Sequence, residues 1–499
     1  MSTGTHAAMT KPQPNRWAVL AVLGVAQLMV VLDATVVNVA LPSAQNALHF
    51  STGSRQWIIT AYALAFGSLL LLGGKLGDLF GRKWTLIGGL SGFAVASAIG
   101  GLSQSFGMLV AARALQGVFG AMLAPSALGL LTVTFQGSKD RAKAFGIFSA
   151  IAAGGASLGL VLGGALTQAI SWRWSLYVNL AIAVPTAIAA LRLLSSERQP
   201  SRPRLDLPGV AIGSLGLFGL VFGFSNAETS SWSNPLTVFA LGASVVLLAS
   251  FLALERRVEH PLLPLHIVWD RARGGAYATI ALAGAAVFAV FLFLTYYLQQ
   301  NLGFSPLKTG VAFLPMTGMI VLTATTVQTR LLARTGAKPI VIAGMALGIT
   351  AMVLFTRLTP HSGYVSHVLP GLLITGLGMG AIFAPAFSTA TLGVKSSEAG
   401  IASAMVNTSQ QVGGSVGTAL LSTIFASAAA SYAAAHTKAA GIASAAAIHG
   451  YTTAFEWAAA LFGVGLLVAL IVLPSDGAAR ARTAQSAASA ELAVGAQGA

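Results

Sequence analysis

The stretch VVLDATVVNVALP, residues Val30–Pro42, places one acidic side chain, Asp33, in the middle of an apolar run. This run begins near Trp17 and ends near Pro42, which exceeds the ~20 residues that a helix needs to cross a bilayer core. Asp33 is therefore expected at membrane depth. A carboxylate there costs roughly 2.5–3.5 kcal/mol on insertion scales and usually faces a bundle interior or an aqueous pathway. The alternative is a structural hydrogen bond between helices.

The composition extends this interpretation to the whole chain. Of its 499 residues, 55% are hydrophobic and 8% are charged, and the mean hydropathy is +0.78, values typical of integral membrane proteins. The absence of cysteine excludes disulfides, thiolate nucleophiles and cysteine-ligated metals. The first apolar run is too long for a signal peptide and lacks a small-residue cleavage site, so we expect it to remain as the first span.

Apolar runs of sufficient length predict fourteen membrane-spanning helices, if they are broken at charge clusters and at turns rich in Pro, Gly or Asn. The predicted spans are roughly residues 17–42, 54–74, 84–103, 107–134, 143–168, 172–194, 208–228, 235–254, 275–300, 306–328, 337–357, 364–391, 399–428 and 450–473. The fold class is therefore expected to be all-α and membrane-embedded. The tail after Pro474 is expected to be disordered.

The positions of the basic residues predict the orientation of the chain. With the N-terminus in the cytoplasm, most of the 28 lysines and arginines fall in cytoplasmic loops. The exceptions are Arg55, Arg173, Lys308, Arg357 and Lys438 in outer loops and Arg113 within a span. This asymmetry follows the positive-inside rule and predicts a cell-membrane protein with both termini in the cytoplasm. It also explains the net charge of +15 without a nucleic-acid partner.

An internal repeat divides the chain into two halves. GAMLAP at Gly120–Pro125 recurs as GAIFAP at Gly380–Pro385, and Gly155 and Gly159 recur as Gly413 and Gly417 at nearly the same separation. The predicted division is a cytoplasmic tail (1–16), a six-helix bundle (17–194), a linker with two extra spans (195–274), a second six-helix bundle (275–473) and a C-terminal tail (474–499). Parallel repeats with substrate bound between the halves are typical of secondary transporters.

The loop between the second and third spans, GGKLGDLFGRKW at residues 73–84, combines glycines with one acid and three bases. Glycine permits close helix approach and turns with positive φ. Asp78 can accept hydrogen bonds from Arg82 or from the N-terminus of a neighbouring helix. Such a cluster can hold the two halves together in one state and release them in another. An ordinary positively charged loop is the alternative.

The pattern G-K-L-x-D-x-x-G-R-K in this loop resembles the signature loop of the major facilitator superfamily. LDATVVNVALP, together with fourteen spans, resembles the drug:proton antiporter branch with 14 helices, and the resemblance covers residues 17–474. It implies that Asp33 is the first-helix acid of that branch and that the loop controls the conformational switch. The gating residues implied by matching position are Gly74, Asp78, Gly81, Arg82 and Lys83.

RALQGVFGAMLAP, from Arg113, resembles the fourth-helix motif of the same family, whose arginine is tied to proton transfer. At a rise of 1.5 Å per residue, Arg113 and Asp33 lie at similar depths in their spans. An acid paired with arginine keeps its charge, whereas a dehydrated, unpaired acid favours the neutral form. Opening and closing the pair would therefore couple protonation to conformation. A static structural salt bridge is the alternative.

The fifth span contains glycines at helical spacing, namely Gly146, Gly155, Gly159, Gly163 and Gly164. Small residues in this arrangement allow close backbone packing in lipid. The spacing also resembles the antiporter motif of the family, which is implied to bend the helix and prevent leak. Leu160 stands where that motif has proline, and this departure leaves the bend in doubt.

Polar and aromatic side chains in other spans are candidates for lining the substrate cavity. Amides at membrane depth either join helices or line a cavity, and tyrosine near a span end often anchors the helix at the interface. The candidates are Asn38, Gln116, Asn407, Gln410 and Gln411, with Phe291 and Tyr296 as an apolar wall. The stretches SWRWSLYVNLA, from Ser171, and NTSQQVGG, from Asn407, also resemble the 14-helix branch.

Taken together, these features predict a transporter and not an enzyme. The sequence contains no HExxH motif, Walker A sequence or paired-carboxylate arrangement, so no metal, cofactor or self-contained ATP-driven step is indicated. The resemblance implies an antiporter that exchanges inward protons for outward amphipathic drugs or antibiotics by alternating access. The expected partners are this substrate, protons and the lipid bilayer, and a monomer is compatible with the sequence.

Two alternatives remain open at this stage. The first is a dedicated exporter of one metabolite, antibiotic or siderophore. The second is a non-transporting membrane sensor or assembly protein on the same fold, because fold does not fix function. The presence of Asp33, Arg113 and the complete signature loop argues against the second alternative.

Overall fold

The computed structural model describes residues 15–50, 54–136, 140–195, 205–436 and 441–474. Every regular element in these ranges is helical. Fourteen helical segments are long and apolar enough to cross a membrane, which agrees with the predicted number. Both predicted tails lie largely outside the described residues.

The helices follow one another along the chain with short connections. They are α1 Arg16–Leu48, α2 Arg55–Phe80, α3 Arg82–Gly101, α4 Phe106–Thr134, α5 Arg141–Ala169, α6 Trp174–Leu193, α7 Leu207–Thr229, α8 Pro235–Glu255, α9 Leu265–Trp269, α10 Arg271–Tyr296, α11 Pro306–Thr326, α12 Leu332–Thr335, α13 Ala337–Phe355, α14 Leu369–Ala390, α15 Ala399–Ala435 and α16 Ile442–Ile471. Single π-helical turns continue α10 (Tyr297–Asn301), join α11 to α12 (Val327–Leu331) and precede α14 (Tyr364–Val368).

Three helices differ from the expectations drawn from hydropathy. α1 continues through Pro42 to Leu48, because a membrane helix tolerates a proline where neighbouring groups satisfy the freed backbone carbonyl. α15 extends to Ala435, beyond the predicted end at residue 428, because its alanine-rich end has high helix propensity. α5 is continuous through Leu160, without the interruption that a proline would introduce.

The spanning helices form two groups. In the first, which we call the N-bundle (α1–α6), α2 and α3 pack against α4, α1 packs against α5 and α6, and α3 packs against α6. In the second, the C-bundle (α10, α11 and α13–α16), α11 and α13 pack against α14, and α10, α13 and α15 pack against α16.

The repeated glycines occupy equivalent places in the two bundles. Gly155 and Gly159 on α5 face α1 so closely that β-carbons at these positions would crowd or collide with it. Gly413 and Gly417 on α15 face the backbone of α10 in the same way. The sequence repeat therefore corresponds to a repeated helix pair, in which the missing side chains let two backbones approach.

Two helix pairs join the bundles, and the extra helices cover one of them. α5 packs against α11, and α2 packs against α15. α7 and α8 pack against each other, and α7 also packs against both α2 and α15. The two extra helices therefore lie along the α2–α15 side of the junction.

Candidate coupling site and gate

Asp33 and Arg113 form an ion pair inside the N-bundle. Arg113 Nη1 donates a hydrogen bond to Asp33 Oδ2 over 2.6 Å. The side chains are 0% and 2% exposed, so this charge-assisted bond is shielded from solvent. The structure thus brings together the two residues that the sequence selected for proton coupling. Removing one partner of such a pair leaves a buried, uncompensated charge.

Two amides complete the surroundings of Asp33. Its Oδ1 accepts hydrogen bonds from Gln116 Nε2 at 3.0 Å and from Asn179 Nδ2 at 2.6 Å. Gln116 Nε2 also donates to Ser97 Oγ at 2.7 Å, and Gln116 Oε1 accepts from Arg113 Nη1 at 2.8 Å. All five side chains are buried. This network, which we call the coupling site, joins α1, α3, α4 and α6.

Arg113 has further contacts on α2. Its guanidinium carbon lies 4.4 Å from the ring centroid of Tyr62, and Nε donates to the carbonyl oxygen of Ile58 at 3.4 Å. A cation above an aromatic face is stabilised by the ring quadrupole. Arg113 would therefore keep partners on α2 if Asp33 became neutral.

The coupling site differs from the prediction in its amide members. Gln116 was expected to line the substrate cavity, but it is fully buried in the network. It lies three residues after Arg113, so both side chains occupy one face of α4. The sequence prediction missed Ser97 and Asn179 as site residues. Asn179 lies in the stretch SWRWSLYVNLA, where an amide in an apolar span was the available signal.

The signature loop joins the two bundles through Asp78. This carboxylate accepts hydrogen bonds from Arg82 Nη2 at 2.5 Å and, across the junction, from the backbone N–H groups of Gly400 (3.0 Å) and Ile401 (3.2 Å). Arg82 Nη2 also donates to the carbonyl oxygen of Ser396. Asp78 therefore caps the positive N-terminus of α15. We call these contacts the gate.

The other residues of the loop have distinct places. Gly74 lies against the backbone of Gly400, where a β-carbon would not fit. Gly81 has φ of 91° between α2 and α3, a conformation that favours glycine. Lys83 donates to the carbonyl oxygens of Leu191 and Leu194 at the end of α6, so it binds within the N-bundle and not across the gate.

Two further contacts that the sequence did not predict close the same side of the junction. Arg141 Nη2 donates to Thr391 Oγ1 at 3.0 Å, and Ser396 Oγ donates to Gln136 Oε1 at 3.0 Å. With the gate, these bonds hold the two bundles together on the side of the signature loop. Their residues are ordinary loop polar groups in the sequence, and only the fold reveals that they meet.

The α5 glycines face two different helices. Gly155, Gly159 and Gly163 lie against α1, and Gly146 and Gly164 lie against α11. α5 is therefore in close contact both with the helix that carries Asp33 and with the C-bundle. Small residues on opposite faces permit both contacts at once.

We expect Gly159→Ala to destabilise the α1–α5 contact. A β-carbon there would collide with Thr35 Oγ1 and lie 3.0 Å from the carbonyl oxygen of Leu32. Overpacking of this kind typically costs about 1–3 kcal/mol, so the melting temperature of the purified protein should fall. Gly318→Ala is the matched control, because nothing lies within 4 Å of its β-carbon position. Equal melting temperatures for the two variants would contradict the close packing of α5 on α1.

The structure does not bring the remaining cavity candidates into one cluster. Asn407 donates to the carbonyl oxygen of Ser403 in its own helix, and Gln411 lies against Gly67 of α2 at the junction. Phe291 stacks on Phe313 within the C-bundle, and Tyr296 is 39% exposed. Gln410 is half-buried on α15, and the side chain of Asn38 lies outside the described part of the chain. Their role as cavity lining stays a prediction.

Similar proteins provide an independent line of inference. A profile of the Major Facilitator Superfamily matches residues 23–418. The chain is 46% identical over 470 residues to the puromycin resistance protein pur8 of Streptomyces alboniger, a match that covers 94% of this chain and 92% of the relative. It is 36% identical over 402 residues to the cephamycin export protein CmcT of Amycolatopsis lactamdurans, covering 80% and 83% of the two chains.

A third relative and one solved structure are similar over comparable lengths. The lincomycin resistance protein of Streptomyces lincolnensis is 34% identical over 411 residues, covering 81% of this chain and 84% of the relative. The crystal structure of the human organic anion transporter MFSD10 (TETRAN) has a TM-score of 0.59 at 16% identity, covering 92% of this chain and all of that one. At this identity, the structural match bears on the fold alone. The profile match and the sequence relatives confirm what the signature loop predicted: the chain belongs to the major facilitator superfamily, and it is a membrane transporter and not an enzyme.

Proposed function

We propose that this protein is a proton-coupled antiporter that exports an amphipathic antibiotic across the cell membrane. The observation that carries the proposal is the buried Asp33–Arg113 pair, with its 2.6 Å bond and its near-complete exclusion from solvent. A passive carrier would have little use for a buried ion pair at membrane depth, because such a pair is costly to dehydrate.

Protonation of Asp33 would change the coupling site in a defined way. The carboxylate accepts three hydrogen bonds, and all three donors lie on α4 or α6. A proton on Asp33 removes its charge and occupies one acceptor position, so the bond to Arg113 weakens. Arg113 can then rely on Ile58 and Tyr62 of α2. The site therefore supports two arrangements that differ by one proton.

α5 provides a route from the coupling site to the C-bundle. Its glycines contact α1 on one side and α11 on the other. A shift of α1 relative to α4 and α6 would press directly on α5 and change its packing against α11. In alternating access, the gate would then open on the cytoplasmic side and admit substrate between the bundles. No cofactor enters this scheme, because the proton gradient supplies the energy.

The names of the relatives favour a dedicated antibiotic substrate over a broad range of drugs. Three of them are each named for a single antibiotic: puromycin, cephamycin or lincomycin. The puromycin resistance protein is similar over nearly the full length of both chains. Puromycin, an amphipathic amine, is therefore the first substrate to test, followed by the other two antibiotics and a panel of lipophilic cations.

Transport into inverted membrane vesicles tests the proposal. With an acid lumen, we expect labelled substrate to accumulate in the lumen while protons are released to the medium. Dissipating the pH gradient should stop both fluxes. Accumulation that persists after dissipation would contradict antiport, and absence of transport for every compound tested would favour a non-transporting protein.

Asn179→Leu should move the pH dependence of transport upward. The substitution removes a 2.6 Å donor to Asp33, so the charged form of the carboxylate loses support. A hydrogen bond to a charged group contributes about 1.5–3 kcal/mol, which corresponds to a shift of roughly 1–2 pH units. Thr186→Val is the control on the same helix, because Thr186 bonds only to the carbonyl oxygen of Ile182. An unchanged pH profile in Asn179→Leu would show that this amide has only a structural role.

A further inference from the structure

A second group of buried acids lies where the two extra helices meet the signature loop. Asp206 caps the start of α7, where its Oδ1 accepts from the N–H of Gly209 at 3.0 Å. Glu255 ends α8, and its Oε2 accepts from the N–H of Leu263 at 2.8 Å. The two residues are only 9% and 4% exposed. Neither belongs to the coupling site or to the gate.

The remaining oxygens of these two acids face each other. Asp206 Oδ2 and Glu255 Oε1 are buried and have no N–H or O–H donor in the described part of the chain. Both lie in the space that a β-carbon on Gly209 would occupy, and the two side chains are within hydrogen-bonding reach of each other. Two carboxylates this close repel when both are ionised. A proton held between them gives each orphan oxygen a partner.

Lys75 of the signature loop is tied to the same assembly. Its Nζ donates to the carbonyl oxygen of Pro261 at 2.7 Å, and its side chain is buried. Pro261 lies two residues before Leu263, which Glu255 holds, so Lys75 and Glu255 bind the same short segment. Lys75 also experiences the charges of both acids, as well as those of Asp78 and Glu398.

We infer that Asp206 and Glu255 form a second proton-binding site, which shares one proton between two carboxyl groups and positions Lys75 beside the gate. Release of this proton to water on the signature-loop side leaves two adjacent negative charges. Lys75 is the cation on α2 that acts on Glu255. It would then exchange the Pro261 carbonyl for an ion pair with the acids. The extra helices thereby report proton concentration to α2. This inference goes beyond the proposed function and does not require Asp33 to carry a proton.

Infrared difference spectroscopy of the purified full-length protein tests the shared proton directly. During a pH titration, the carbonyl stretch of a protonated carboxyl group should disappear as the pH rises. Both Glu255→Gln and Asp206→Asn should lack this band, because the new amide donates to the remaining carboxylate and replaces the proton. Glu259→Gln, at an exposed glutamate just after α8, and Asp33→Asn should retain it. Absence of the band in the wild type, or its persistence in both pair variants, would overturn the inference.

Thermal stability gives a second readout that does not depend on the spectrum. A proton bound more tightly in the folded than in the unfolded chain contributes stability that is lost as the pH rises. The melting temperature of the wild type should therefore fall more steeply with increasing pH than that of Asp206→Asn. Parallel curves would contradict a shared proton. Since neither measurement involves transport, failure of antiport would leave this test unaffected.

Discussion

Asp33→Asn is expected to abolish proton-driven accumulation of substrate in inverted vesicles while leaving substrate binding measurable. The amide nearly matches the carboxylate in shape but cannot change charge, and it leaves the Arg113 guanidinium buried without its counter-ion. Breaking one side of a buried pair costs about 3–5 kcal/mol, which is sufficient to hold the site in one arrangement. Substrate accumulation and proton release measured in parallel should both fall to the level of vesicles without a pH gradient.

The control for this variant is exchange of labelled for unlabelled substrate without a pH gradient. Exchange needs alternating access but no net proton movement, so it reports whether the variant still binds and moves substrate. Full gradient-driven accumulation by Asp33→Asn would make the carboxylate structural and would refute the coupling mechanism. Loss of accumulation with retained exchange would place coupling at Asp33.

Asp78→Asn is expected to open the gate. The carboxylate accepts from two backbone N–H groups of α15 and from Arg82, whereas an amide presents its own N–H groups to some of these donors. Arg82, which is 1% exposed, would lose its anionic partner. A loss of about 3 kcal/mol shifts a two-state equilibrium by roughly 10²-fold. The population with the bundles joined at the gate should fall accordingly.

Cross-linking measures this population, because the natural chain contains no cysteine. Cysteines at Gln136 and Ser396, whose exposed side chains bond across the junction over 3.0 Å, should be joined efficiently by a short bismaleimide. In Asp78→Asn the yield should drop sharply. Lys83→Ala is the matched control, since Lys83 also belongs to the signature loop but contacts only α6. Equal yields in all three proteins would mean that Asp78 does not hold the gate.

Much of the fold could be predicted because the bilayer restricts what a chain can do. A span needs a minimum apolar length, and charges are confined to its ends, so hydropathy alone indicated fourteen helices. The glycine repeat indicated which helices approach closely, and Gly159 and Gly417 do so in equivalent pairs. Helix ends were less predictable. The end of α15 depends on alanine propensity beyond the membrane and not on hydropathy.

The coupling site was predictable only in its charged members. Asp33 and Arg113 stood out because a charge in an apolar span is costly and needs a partner. Their neighbours did not stand out, because an amide such as Asn179 can equally join helices or line a cavity. Its position depends on the rotation of α6 about its axis, which side-chain packing sets.

The sequence by itself determined that this protein is a fourteen-span transporter with a coupling acid, a partner arginine and a signature loop, because bilayer energetics leave a clear record in residue order. The tertiary structure decided which groups share a site. It placed Gln116 beside Asp33, Asp78 at the start of α15, and Asp206 against Glu255 beside the signature loop. Helix rotation, tilt and docking depend on complementary surfaces between distant segments, and hydropathy along the chain carries little information about them.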